Sequence, residues 1–389
     1  KNIFIFFFFL FVCTIGKLQG QETTILSPDN KLSVQVFVED SKAFYSIHYA
    51  QKVILEKSPL GIKTNITDFS TGLKLMGQKD SIVDKTYNEE KIKTSKVHYL
   101  ANEKTCSFEN LQGKRIDIIF QVSNNNVAFR YFLPQEGETA CCRIERELSG
   151  FKFPSFATTF LTPQAPPMTG WKRTKPSYEE EYIADEAIGT SSKYGIGYTF
   201  PALFHIGDNG WALVSETGVN SLYCGSKLSE ASEDGTYTIT FPEQGENHGI
   251  GASNPSISLP SVTPWRTITV GDNLKPIVET TIPFDLVEPL YKPSIDYRFG
   301  RSTWSWIMWQ DNSINFEDQK TYIDLSSDLG YEYVLVDGLW DAGIGKEKIE
   351  ELAEYARSKN VELCLWYNSN GYWNDAPQGP KNKMNTSIA

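Results

Sequence analysis

Three groups of residues have types and spacing that could carry chemistry. Ser177-Tyr-Glu-Glu-Glu-Tyr182 puts three carboxylates in a row on a loop. A hard cation such as calcium takes several such oxygens, although the same run also reads as a solvated turn. Asp337 closes the apolar run Tyr331–Val336, where a charge is costly unless paired or used. Trp306 and Trp340 flank it in sequence, and flat indoles suit the C–H face of a sugar as well as a core. Asn368, at the end of the run Val361–Tyr367, opens a loop with Tyr372, Trp373 and Asp375 that can line the same pocket. Glu332 and Glu362 come earlier in their runs and read as partnered structural charges.

The elements that must position these residues change style near residue 290. Lys31–Val38, Arg115–Val122, Val127–Leu133 and Thr236–Phe241 alternate polar and apolar residues, with turn signals such as Ser27–Asn30 and Gly207–Gly210 between them. Many short antiparallel strands over Thr24–Pro283 imply a large sandwich, with a barrel or propeller as alternatives. After Pro293 strands and helices alternate. Ser302–Trp309, Tyr331–Asp337 and Val361–Tyr367 read as strands. Asn315 caps a helix with Tyr322, Leu325, Ser326 and Leu329 on one face and Gly330 as its stop. A second helix over 346–359 carries Ile349, Leu352, Ala353 and Ala356. Strand centres about 30 residues apart are the repeat of a βα unit. No GxGxxG or P-loop follows any of the strands, so nucleotide binding loses ground. Polar residues at the carboxyl ends favour the opening of a (β/α)8 barrel, which needs at least about 200 residues when complete.

Composition bounds the rest. The 389 residues are 40% hydrophobic and 22% charged, as in globular proteins, and suffice for two or three domains. With 37 Lys+Arg against 48 Asp+Glu the charge is −11, which argues against nucleic acid or anionic lipid as a partner. Lys1 and the apolar run Ile3–Val12, before Gly20, predict a signal peptide over 1–20 that is too short for a stable membrane span. The expected location is therefore periplasmic or secreted. Cys13 follows Phe11-Val12 where a lipoprotein cysteine wants a small residue, so a lipid anchor is disfavoured. The remaining cysteines, Cys106, Cys141, Cys142, Cys224 and Cys364, are odd in number and lack CxxC spacing. They fit neither a dense disulfide framework nor a standard zinc site.

Gly300–Trp306, Tyr322–Leu325 and Leu329–Trp340 resemble the start of the catalytic barrel in glycoside hydrolase family 97. Thr23–Lys31, Pro59–Gly61, Ser177–Glu179, Gly210–Glu216 and Pro264–Arg266 are similar to that family's N-terminal domain. The resemblance implies an antiparallel β-super-sandwich (21–287) followed by the first βα units of a truncated (β/α)8 TIM barrel (288–389). It implies an exo-acting α-glucosidase or α-galactosidase that hydrolyses terminal α-glycosidic bonds of oligosaccharides. It further implies Ca2+ as cofactor, with Glu179 as the metal ligand from the N-terminal domain. Asp337, Trp340, Trp306 and Asn368 would then bind substrate. The family's catalytic carboxylates lie on later barrel strands, beyond Ala389, so none is expected within this chain. A non-catalytic carbohydrate-binding protein is the alternative, and a mutarotase-like epimerase built on the sandwich is weaker still for want of a histidine pair.

Overall fold

The computed structural model describes residues 22–89, 92–166, 180–246, 252–291 and 294–367. Its first part is antiparallel. Glu22–Leu26, Leu32–Glu39, Lys42–Tyr49 and Lys52–Leu60 form a four-stranded meander. A larger ten-stranded sheet runs from Glu186–Ala187 at one edge through Trp211–Thr217, Trp265–Gly271 and Asn126–Leu133 to the long hairpin Lys96–Glu109 and Lys74–Asn88 at the other. The predicted period of two is visible in burial: Leu32, Val34 and Val36 on one strand, and Ile116, Ile118, Phe120 and Val122 on another, are all inside.

These apolar rows face each other. Tyr45 of the meander lies 5.2 Å from Phe129 and 6.2 Å from Phe120 of the large sheet, ring centre to ring centre. That stacking of two apolar sheet faces is what makes the part sandwich-like. At Gly150 the strands approach so closely that a Cβ would sit 2.5 Å from the Pro59 ring, so only glycine fits there. The Gly150 carbonyl accepts from the buried Tyr45 hydroxyl at 2.9 Å.

The core also holds charge. Arg266 is fully buried in the strand Trp265–Gly271. Its Nε and Nη2 donate to Glu147 Oε1 and Oε2 at 2.7 and 2.6 Å, and its Nη1 donates to Glu216 Oε2 and to Ser226 Oγ. Tyr223 OH (2.7 Å) and Ser149 Oγ (2.9 Å) also donate to Glu147. Burial alone would push the Glu147 carboxyl up, but the Arg266 guanidinium and these hydroxyls hold it below its ordinary value. Burial likewise opposes the charge on Arg266, and Glu147 more than offsets it, so its pKa is raised. The network ties the strand Cys141–Glu147 and the 223–226 turn to the large sheet.

After the short helices Lys275–Glu279 and Ile282–Leu286 the style changes as expected. Ser302–Trp304, Tyr333–Val336 and Glu362–Leu365 are parallel, in that spatial order. Helices Phe316–Asp328 and Lys346–Ser358 connect them. Ile323, Val334, Val336, Leu352, Ala356 and Val361 form a separate core. Asn315 caps the first helix by accepting from Asp318 N at 3.0 Å. The Asp318 carboxylate takes the Asn315 side-chain amide at 2.6 Å, a variation on the usual capping box. Gly330, at φ +65°, ends that helix.

Two local expectations need correction. The first parallel strand stops at Trp304, and Trp306–Trp309 is a turn of helix, not more strand. Buried Ser305 is held by Ser313 Oγ and Gln319 Nε2, both at 2.8 Å, and Trp309 then packs edge-on against Tyr322. Continuous aromatic runs carry no periodicity that separates strand from helix, so those tertiary contacts decide. On the first helix the buried residues are Gln319, Tyr322, Ile323 and Ser326, while Leu325 and Leu329 stay exposed. The face is rotated because Ser326 Oγ bonds Thr303 Oγ1 at 2.6 Å and donates to Tyr333 O at 2.8 Å.

Replacing Arg266 by Met leaves Glu147 buried without its cation, and a loss of about 3–5 kcal/mol in urea unfolding is expected. A loss below about 1 kcal/mol would show that the clamp is dispensable. The pH dependence has a definite sign. Glu147 is depressed when folded, so the unfolded chain protonates first, and stability is complete above the ordinary glutamate value of about 4.3 and falls as pH drops below it. Urea midpoints between pH 7 and pH 3 should show this fall, with a shallower slope in Arg266→Met.

Candidate functional site

The parallel strands deliver three aromatic or acidic side chains to one end of their sheet. Trp304 is the last residue of the first strand, Asp337 follows the second, and Trp366 follows the third. The carboxyl end of a parallel sheet is where open α/β and barrel folds place their ligands. Trp366 N donates to Val336 O at 2.9 Å, which carries the pairing one residue past the third strand.

Asp337 is buried. Its Oδ2 accepts from Trp304 Nε1 at 2.6 Å and its Oδ1 from Gly338 N at 2.5 Å. Each oxygen therefore has one N–H fixed on it, which orients the carboxylate and leaves lone pairs for further donors. Trp306 lies parallel to Trp304, 5.8 Å away at 19°, and its own Nε1 donates to Asp311 Oδ1 at 2.8 Å. An indole stack with a carboxylate bonded at each end results. Carboxylates already engaged by indole donors suit holding hydroxyl groups more than delivering a proton.

The backbone after Asp337 is also unusual. Leu339 sits at φ +70°, ψ 4°, in the left-handed region that disfavours a branched side chain by an amount on the order of 1 kcal/mol or more. It starts the turn Trp340–Gly343.

The structure brings Asp337 and Trp306 together through Trp304. Trp340 is placed differently. It is 8% exposed, its Nε1 donates to Trp366 O at 3.1 Å, and it meets Tyr367 edge-on at 5.7 Å. It braces the ends of the second and third strands, leaving little indole face for a sugar. Asn368 and Glu179 lie outside the described residues. Beside Glu179, the Glu180 carboxylate is bonded to Lys193 Nζ at 3.0 Å and Tyr194 OH at 2.9 Å. Among the described residues no group of three His, Cys, Asp or Glu could hold a metal ion, so these residues do not by themselves make up a calcium site.

Sequence reasoning missed Trp304 and Asp311. The signal for Trp304 was its position as the final residue of a strand, hidden because the strand was read as running on to Trp309. Asp311, exposed in a short 3-10 turn, carried no signal. Glu332, read as structural, is held at about 2 by Arg301, whose side chain and backbone N–H bond it.

A family model described as Glycosyl-hydrolase 97 N-terminal matches residues 25–289. The chain belongs to glycoside hydrolase family 97. A crystal structure of a beta-arabinopyranosidase superposes with a TM-score of 0.91 at 57% identity, covering 95% of this chain and 59% of that one. A probable retaining alpha-galactosidase from Streptomyces bingchenggensis is 27% identical over 92% of this chain and 54% of its own length. A family 97 enzyme from Pseudoalteromonas sp. strain K8 in complex with panose shares the fold, with a TM-score of 0.72 at 22% identity over 90% of this chain and 55% of that one. The chain thus spans a little over half the length of these relatives. Among its described residues no helix is long and apolar enough to cross a membrane.

Trp304→Phe keeps an aromatic ring and removes the donor to Asp337. A loss of about 1.5–3 kcal/mol in urea unfolding is expected for a hydrogen bond to a buried carboxylate. An unchanged midpoint would mean that the indole N–H does not hold Asp337.

Proposed function

We propose that the chain is the front part of an exo-acting family 97 glycosidase. In this reading 1–20 is a signal peptide directing it to the periplasm or outside the cell, 21–287 is the sandwich domain and 288–389 opens a (β/α)8 barrel. The observation that carries it is the Asp337–Trp304–Trp306 group at the carboxyl ends of three parallel strands. Asp337 would accept hydrogen bonds from hydroxyls of a terminal sugar, and Trp306 would lie against its C–H face. Asn368 would line the same pocket, with Trp340 bracing it from behind.

The reaction would be hydrolysis of a terminal glycosidic bond by two carboxyl groups supplied from later strands, beyond Ala389. The names of the relatives favour a retaining enzyme, whose two carboxyls stand roughly 5–5.5 Å apart. They also guide the choice of substrate. Alpha-galactosidases and a beta-arabinopyranosidase appear among them, and a β-L-arabinopyranoside ring has the stereochemistry of an α-D-galactoside without its hydroxymethyl group. Either sugar is favoured over α-glucoside. Calcium, with Glu179 as one ligand, would act as a Lewis acid and template.

The enzyme carrying this chain together with its later strands should turn over nitrophenyl α-galactoside or β-L-arabinopyranoside, lose activity with a chelator and regain it with calcium. Asp337→Asn in that enzyme should lower kcat/KM by about 10–100-fold, the equivalent of one charged hydrogen bond. The 389-residue chain alone should show no turnover. Turnover by that chain would overturn the reading. Sugar binding with no turnover by the complete enzyme would instead favour a non-catalytic carbohydrate-binding protein.

A further inference from the structure

A cavity lies in the sandwich part, with no residue of the parallel strands in its lining. It has a volume of about 320 Å³, is open to solvent on one side and is lined by Gln164, Phe200, Glu216, Ser226, Lys227 and Glu246, among others. That volume is at the lower end of the range of about 300–1,000 Å³ for small-molecule sites, room for one small ring and not an oligosaccharide.

The cations in and behind its wall are already engaged. Lys227 is buried and its Nζ donates to Glu243 Oε1 at 2.6 Å, while Arg266 is engaged by Glu147 and Glu216. An anion would find no spare cation there and would face two carboxylates. A metal ion is disfavoured too, since no cluster of three ligating side chains occurs among the described residues. What is left is a lining of fixed hydrogen-bonding groups together with the rings of Phe200 and Pro242. Glu216 is locked: Ser226 N donates to its Oε1 at 2.8 Å, and Ser226 Oγ donates to its Oε2 at 2.6 Å. The Glu246 carboxyl is pushed up, first by burial and also by the charge of Glu243, as befits a group in a sheltered recess.

Gly225 keeps the approach to Glu216 open. A Cβ at Gly225 would meet Glu216 Oε1 at 3.5 Å, an ordinary contact, and its backbone is outside the left-handed region. A side chain there would fit the backbone and occupy the cavity.

We propose that this cavity is a sugar-binding pocket for a single neutral ring, separate from the site at the parallel strands. The fixed Glu216 and Glu246 carboxylates would accept hydrogen bonds from the sugar hydroxyls, and the Phe200 and Pro242 rings would cover the C–H side. The inference does not depend on the glycosidase reading.

The test is titration of the complete chain with D-galactose, L-arabinose and D-glucose, followed by ligand-observed NMR and calorimetry. Binding of at least one sugar with a millimolar Kd is expected. The chain and its Gly225→Leu variant are both titrated with Asp337→Asn in place, so that the site at the parallel strands does not contribute; Gly225→Leu should then weaken binding at least tenfold while leaving the unliganded Tm within a few degrees. No binding by the Asp337→Asn chain, or undiminished binding when Gly225→Leu is added to it, would each overturn the proposal. Should Gly225→Leu not fold, Glu246→Gln decides, because it keeps the shape: at least threefold weakening is expected, and an unchanged Kd overturns the proposal.

Discussion

A guanidinium with no exposed surface must be paired on every side, and Arg266 organises the sandwich by that requirement. Its five N–H groups form a rigid planar fork, which matches a carboxylate in only a few orientations. Glu147 takes the bidentate side and Glu216 the other, so the strand Cys141–Glu147 and the strand Trp211–Thr217 are fixed in register with the strand that carries Arg266. The remaining lone pairs draw in Tyr223, Ser149 and Ser226 from turns. Apolar packing of Tyr45 on Phe120 and Phe129 supplies area, and it tolerates some sliding. The clamp does not.

The consequence for function is that Glu216 belongs to two structures at once. One side of its carboxylate completes the clamp, and the same residue lines the cavity beside Gly225. A group that is immobile, desolvated and already hydrogen-bonded presents its free lone pairs in a fixed direction, the requirement for selective recognition.

The parallel strands solve a similar problem with different parts. Asp337 sits at a strand end, beside Gly338 and a strained Leu339, and an indole replaces the guanidinium as its partner. A neutral donor orients a carboxylate and leaves lone pairs on both oxygens for whatever hydroxyls approach. The Trp304–Trp306 stack extends that arrangement toward Asp311.

Much of this was legible along the chain. Alternation in Lys31–Val38 and Arg115–Val122 predicted strands with one buried face because the pleat has a period of two, and the structure buries those rows. The 30-residue recurrence near 305, 334 and 364 predicted parallel strands joined by helices, and Asn315 and Gly330 marked the ends of the first helix, because caps are local hydrogen-bond problems that local residues solve. Partners distant in sequence were not legible. Nothing near Arg266 announced Glu147, 119 residues away, and nothing near Trp304 announced that its N–H would meet Asp337. Sequence determined which strand faces are apolar and where the capped helix begins and ends, since those depend on neighbours along the chain. Only the tertiary structure decided where the strand at Trp304 bends into a helix, which face of Phe316–Asp328 is inside and which carboxylates find donors, because those depend on what the fold brings alongside.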